Sequence, residues 1–294
     1  MSIENITPAG HLASEKVGIV SLNQMGATTR QDAGRDAQIL ADRFGLLTLA
    51  VDRPGSTGWF NPFLKKQITT DYIGAMNNLA KDIAHEAYQE GLEGLILTGR
   101  SAGALGAMGL ILTDQMPSIA LYSVESAGMN DVPTWTGGIR LKSRYDKESA
   151  GLLEGDELRV LPPKQPDVKG KIANARRGIS MVAHTAVDQY HNYRLWGTMV
   201  GLDFAQRIAS GYPRCDTTLE LASLSYAGYE SGPDRYEHVV SALQYIATQR
   251  DPNGAPFIVG TVDGTTHSSY DNIPFFTDRL VPTVQRAIQL SEQA

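Results

Sequence analysis

Short apolar runs alternate along this chain with longer stretches whose apolar residues recur every three or four positions. The runs at residues 17–22 (VGIVSL), 46–51 (LLTLAV), 95–98 (LILT), 119–124 (IALYSV), 219–228 (LELASLSYAG) and 257–262 (FIVGTV) read as strands buried on both faces. Between them, residues 32–44 place Ala33, Ala37, Leu40 and Ala41 on one side of a helix. Residues 68–90 do the same with Ile73, Met76, Leu79, Ala80, Ile83 and Ala87. Further helices are expected at 235–248 and 280–290. Strand and helix in strict alternation predict an α/β protein with a mostly parallel central sheet flanked by helices.

The rhythm breaks in the middle. Residues 129–205 hold a loop-rich stretch, the segment RVLPPKQPDVKGKIANARR, and a helical run from about 179 to 208. We expect residues 1–128 and 206–294 to form the core, and residues 129–205 a partly helical cap inserted over the site. Within the insertion, Arg159, Lys164, Lys169, Lys171, Arg176 and Arg177 outnumber the neighbouring acids. They suit a solvated lid loop, or a surface that steers an anion. Tyr190, Tyr193, Leu195, Trp196, Met199 and Leu202 suit a docking face or a pocket wall, and Trp59 with Phe60 suits the lining of an acyl pocket.

Composition narrows the partners. The chain has 294 residues, 42% of them hydrophobic and 20% charged, as in a soluble globular protein. Its net charge of −6 argues against a general nucleic-acid binder. The first residues lack the basic start and apolar core of a secretory leader, and no apolar run approaches the ~20 residues of a membrane span. A cytoplasmic protein without nucleic-acid or membrane partners is expected. The single cysteine, Cys215, has no partner for an internal disulfide or a paired-thiol metal site.

Candidate chemistry centres on residues 95–112, LILTGRSAGALGAMGLIL. Here Gly99-Arg100-Ser101-Ala102-Gly103 forms a Gly-x-Ser-x-Gly pattern between a strand and a helix. A serine on so sharp a turn carries its hydroxyl clear of the sheet edge, while the glycines permit a close strand–helix approach. The helix start beyond it supplies unsatisfied N–H groups where negative charge develops on a carbonyl oxygen. Gly103, Gly106 and Gly109 lie within that helix and suit close packing better than a phosphate loop.

A serine nucleophile needs a base, and the base an orienting acid. Of six histidines, His267 is best placed, following the last strand where ligands gather in parallel sheets. His85 and His238 fall within helices, and His184 and His191 within the insertion.

The order strand, Gly-Arg-Ser-Ala-Gly, helix, insertion, acid, His resembles the α/β-hydrolase fold family, and Asp52-Arg53-Pro54-Gly55 resembles a turn many members carry. The resemblance implies a Ser-acid-His triad with Ser101 as nucleophile and His267 as base. By position it implies an oxyanion hole from the backbone N–H groups of Met25 and Ala102. The His-Gly pair many members carry at that loop is replaced by Asn23-Gln24-Met25-Gly26. Three acids compete for the third role. Glu230 stands nearest the usual strand end, Asp234 has the commoner residue type but also reads as a helix cap, and Glu125 ends the strand after the nucleophile's own. Asp52 reads as a turn residue satisfied by backbone N–H groups.

A hydrolase of a carboxylic ester or related acyl bond is therefore expected, acting on a small-molecule acyl substrate without metal or organic cofactor. The alternatives are an acyltransferase using the same Ser-His pair and a non-catalytic binder of small molecules.

Overall fold

A computed structural model of the chain describes residues 3–8, 16–22, 30–52, 72–126, 200–224 and 233–292. Seven strands form one sheet, in the order β1-β3-β2-β4-β5-β6-β7. They are β1 (Ile3–Ile6), β2 (Val17–Leu22), β3 (Thr48–Val51), β4 (Gly94–Arg100), β5 (Ser118–Val124), β6 (Asp216–Leu224) and β7 (Phe257–Thr266). Only β1 runs antiparallel, against β3 at the edge; the remaining pairs are parallel.

Helices α1 (Arg30–Phe44), α2 (Tyr72–Gln89), α3 (Ala102–Ile111), α4 (Val200–Gly211), α5 (Pro233–Thr248) and α6 (Ile273–Glu292) cover both faces. Successive strand residues point to opposite sides, so Leu95 and Leu97 join one apolar cluster while Ile96 joins the other. The first cluster takes its helical share from α2, α3, α4 and α5. Leu40 of α1 and Phe276, Leu280, Val284 and Ala287 of α6 complete the second. A parallel sheet covered on both faces needs apolar residues at nearly every strand position, which is the pattern that made these runs legible.

Several bounds differ from the periodicity. The short strand β1, IENI, has no apolar run to announce it. Helix α6 begins at Ile273 rather than near 280 and carries Pro282 in its interior. A proline there imitates a helix start, while the buried stripe of Ile273, Phe276 and Leu280 precedes it. Strand β7 runs on to Thr266, four residues past its apolar portion, so His267 follows the strand directly. Of the expected insertion at 129–205, only 200–205 lies among the described residues, and there Leu202, Phe204 and Ala205 of α4 are buried in the first cluster.

One face of β6 is polar. Asp216, Thr218 and Glu220 recur at every second position and meet Arg286, Thr283 and Arg279 of α6. Two strand residues span about 6.6 Å, close to the rise of one helical turn, so the ladders stay in step as strand and helix run in opposite directions. Arg286 donates to both carboxylate oxygens of Asp216, at 2.7 and 3.2 Å. The Asp216 side chain is fully buried, and that burial pushes its carboxyl upward despite the guanidinium. Removing one partner of such a pair strands the other's charge. We therefore expect Arg286→Met to lower the free energy of unfolding by about 3–5 kcal/mol. Urea titration would measure the loss, and Asp216→Asn in the same chain should recover part of it.

Candidate active site

Strand β4 turns into α3 within a single residue. A Cβ added at Gly99 would stand 2.4 Å from the carbonyl carbon of Gly103 and 2.8 Å from the nitrogen of Ala104. Real Cβ contacts are never so short, so the helix start can lie against the strand only because residue 99 is glycine. Between them Ser101 takes φ 53° and ψ −120°, a combination sparsely populated by residues with side chains. Its carbonyl accepts the first helical bond, from Leu105 at 3.2 Å, and its N–H donates to the Val124 carbonyl at 3.0 Å. Serine at a helix N-cap ordinarily turns its hydroxyl back onto the first-turn amides. The Ser101 side chain makes no such bond.

The neighbouring strand ends in a second strained residue. Glu125, with φ 47°, follows β5 and is buried. Its N–H donates to the Glu220 carbonyl at 2.9 Å. Its carboxylate Oε1 accepts from the Ala222 N–H at 2.7 Å, and Oε2 lies 3.2 Å from Nδ1 of His267. The backbone bond fixes the carboxylate. With its proton on Nδ1, the imidazole donates to Oε2.

His267 opens a 3-10 turn, His267–Asp271, that caps β7. Thr266 and Ser269 close the turn reciprocally, with the Thr266 N–H donating to Ser269 Oγ at 2.9 Å. The turn's other end is held through Tyr270, whose hydroxyl donates to Glu220 Oε1 at 2.8 Å. Tyr122 donates to the same oxygen at 3.2 Å, and Arg279 donates to both Glu220 oxygens. Burial, followed by the Glu220 charge, pushes both phenols well above the usual tyrosine range. They stay protonated and serve as donors.

Ser101, Glu125 and His267 thus all stand at carboxyl ends of strands, on β4, β5 and β7. Ala102 is the first residue of α3, directly beyond the serine. Met25 and Glu230 lie outside the described residues, as does the side chain of Asp234. Of the three candidate acids, Glu125 lies among the described side chains, and its carboxylate meets the imidazole. His85 and His238 are exposed on α2 and α5. Sequence reasoning passed over Arg100, Glu220 and Arg279. The signal for Glu220 was a lone acid amid the apolar run 219–228; Arg100 offered a charge at a strand end between two glycines.

Among the described residues, no cluster of three or more His, Cys, Asp or Glu side chains could hold a metal ion, and no helix is long and apolar enough to cross a membrane. Cys215 is buried, and burial pushes its thiol up to about 12, far from the reactive thiolate range.

No protein-family model and no curated protein sequence matches the chain. Solved structures do. Est1E from Butyrivibrio proteoclasticus, with ferulic acid bound, has a TM-score of 0.54 at 13% identity, covering 98% of this chain and 95% of that one. A hydrolase from Oleispira antarctica has a TM-score of 0.54 at 12% identity, over 96% and 94% of the two chains. A carboxylesterase of the thaumarchaeon Nitrososphaera gargenis has a TM-score of 0.50 at 11% identity, over 98% and 95%. Likeness at such identities is likeness of fold, and the fold of this chain is the α/β-hydrolase fold.

Proposed function

We propose that the chain is a serine hydrolase that cleaves a carboxylic ester or related acyl bond through Ser101, His267 and Glu125. The observation that carries this reading is the contact of Glu125 with His267 Nδ1 on strand ends beside a strained, uncapped Ser101. The esterase and hydrolase activities of the structural neighbours support the same class. Glu125 takes the orienting role in place of Glu230, because its carboxylate is already fixed by the Ala222 N–H and turned to the imidazole.

In this scheme Ser101 Oγ attacks the substrate carbonyl as His267 Nε2 takes its proton. Glu125 holds the productive tautomer and stabilises the imidazolium that forms. Negative charge on the former carbonyl oxygen is met by the Ala102 N–H at the start of α3, with Met25 as the second donor. Such a donor contributes about 3 kcal/mol to the transition state. His267 then protonates the leaving group, the acyl group remains on Ser101, and water attacks it with the same base. No metal or organic cofactor enters.

A fluorophosphonate probe reports an activated serine before any substrate is known. Labelling of the native chain and its loss in Ser101→Ala is the expected result. Absent labelling of folded native protein, with the pocket shown open to a small probe, would sink the hydrolase reading.

Glu125→Gln separates the acids. Its amide oxygen can keep the Ala222 bond, which turns the NH2 toward Nδ1 and forces the proton onto Nε2. Labelling should slow by about 10^4-fold, the order seen when a triad loses its tautomer control. Glu230→Gln should label at the native rate; a reversed ranking would return the role to Glu230.

A further inference from the structure

The residue before the nucleophile has a part of its own. Arg100 closes β4 with a side chain only 11% exposed, directed onto elements distant in sequence. Its Nη1 donates to the Tyr270 carbonyl and lies 3.4 Å from Asp271 Oδ1, both in the turn that begins with His267. Its Nη2 donates to Asp36 Oδ2 of α1 at 2.9 Å. The guanidinium also stacks over Phe276 of α6, 5.3 Å from the ring centroid.

A guanidinium needs several acceptors when withdrawn from water, and stability alone would be served by any of them. These acceptors fall in a particular place. Two belong to the turn carrying the base, and the donor is covalently next to the nucleophile. The third lies on α1, the helix that follows residues 23–29. From the far side, Glu220 holds the Tyr270 ring by its hydroxyl, while Arg100 holds the same residue by its carbonyl.

We propose that Arg100 is a positioning residue that sets the separation of His267 from Ser101 by strutting the His267–Asp271 turn against the nucleophile elbow. The proposal rests on the Ser101–His267 reading above. A general base works only within about 2.6–3.2 Å of the proton it takes, and a displacement near 1 Å costs on the order of 100-fold. One rigid side chain spanning the two elements is a direct means of holding that distance. Lysine, with a single ammonium on a flexible stem, cannot bond the turn and Asp36 with the same planar fork.

The test uses Arg100→Met and Arg100→Lys, each in the native and His267→Ala backgrounds. Rates of p-nitrophenyl acetate hydrolysis are normalised to probe-titrated sites in chains that retain His267, and to folded protein in the His267→Ala chains. With His267 present, Arg100→Met should lower kcat by about 10–100-fold with KM unchanged, and Arg100→Lys should recover part of the loss. Without His267, Arg100→Met should leave the residual rate unaltered, since the residue acts through the imidazole. An equal loss in both backgrounds, or a kcat that does not fall, overturns the proposal. Arg286→Met, which removes a guanidinium elsewhere on the same sheet face, should lower stability while leaving kcat per titrated site as it was. Hydrogen exchange of the 267–271 amides reads the strut without turnover. Faster exchange in Arg100→Met upholds it even if the native chain fails to label, a failure that strikes the triad alone, and unchanged exchange overturns it.

Discussion

The contact of Gly99 with the backbone of Gly103 governs the geometry around Ser101. Because no Cβ stands between them, α3 starts against the sheet instead of a residue's width above it. The chain then has one residue in which to reverse direction, and Ser101 absorbs the whole change in a dihedral region costing of order 1–3 kcal/mol. Its N–H bond to Val124 fixes the elbow to the neighbouring strand, and that strand ends one residue later in the strained Glu125. Two adjacent departures from ordinary backbone, each fastened to the next strand, are what the apolar sheet below must hold in place.

Buried carboxylates in this sheet are compensated in two distinct ways. Asp216 and Glu220 face Arg286 and Arg279, guanidinium groups that stay charged at any pH a protein survives. Glu125 faces a histidine, whose charge comes and goes. Its desolvation is therefore best offset when the imidazole carries a proton, which in the proposed reaction is the moment after the serine has lost its own. The Asp216–Arg286 and Glu220–Arg279 pairs attach α6 to the sheet, and the Glu125–His267 pair joins β5 to the turn after β7.

How much of this was legible in the sequence follows from which residues leave a local trace. The central strands are apolar on both faces, so VGIVSL and IALYSV announce themselves, and the elbow is written in five consecutive residues. His267 stood out as a candidate because it follows an apolar strand run, and the structure sets it directly after β7. The acid was harder. Glu125 and Glu230 both follow apolar runs, and what distinguishes Glu125 is the Ala222 N–H that meets its carboxylate from 97 residues away. Strand β7 hid its last residues, since Asp263, Gly264, Thr265 and Thr266 read as a polar loop. Four steps of β7 oppose two of β6 there, from Ala222–Val262 to Leu224–Thr266, so the polar residues bulge before the ladder closes at Thr266. Arg100 and Glu220 are defined entirely by partners remote in sequence, and no window of neighbouring residues contains them.

Strand order adds a temporal consequence. The elbow forms on β4, at the middle of the sheet, from residues close together in the chain, whereas His267 arrives on β7, which among the described strands lies at the edge beside β6. Glu125 and His267 are separated by 142 residues and Arg100 and Tyr270 by 170, so these contacts close long loops and belong to the slow part of folding. During synthesis the serine turn emerges well before His267, and under the proposed mechanism a nascent chain with most of its sheet built is chemically silent. In the proposed reaction chemistry waits for β7 to dock, which makes it a reporter of completed folding.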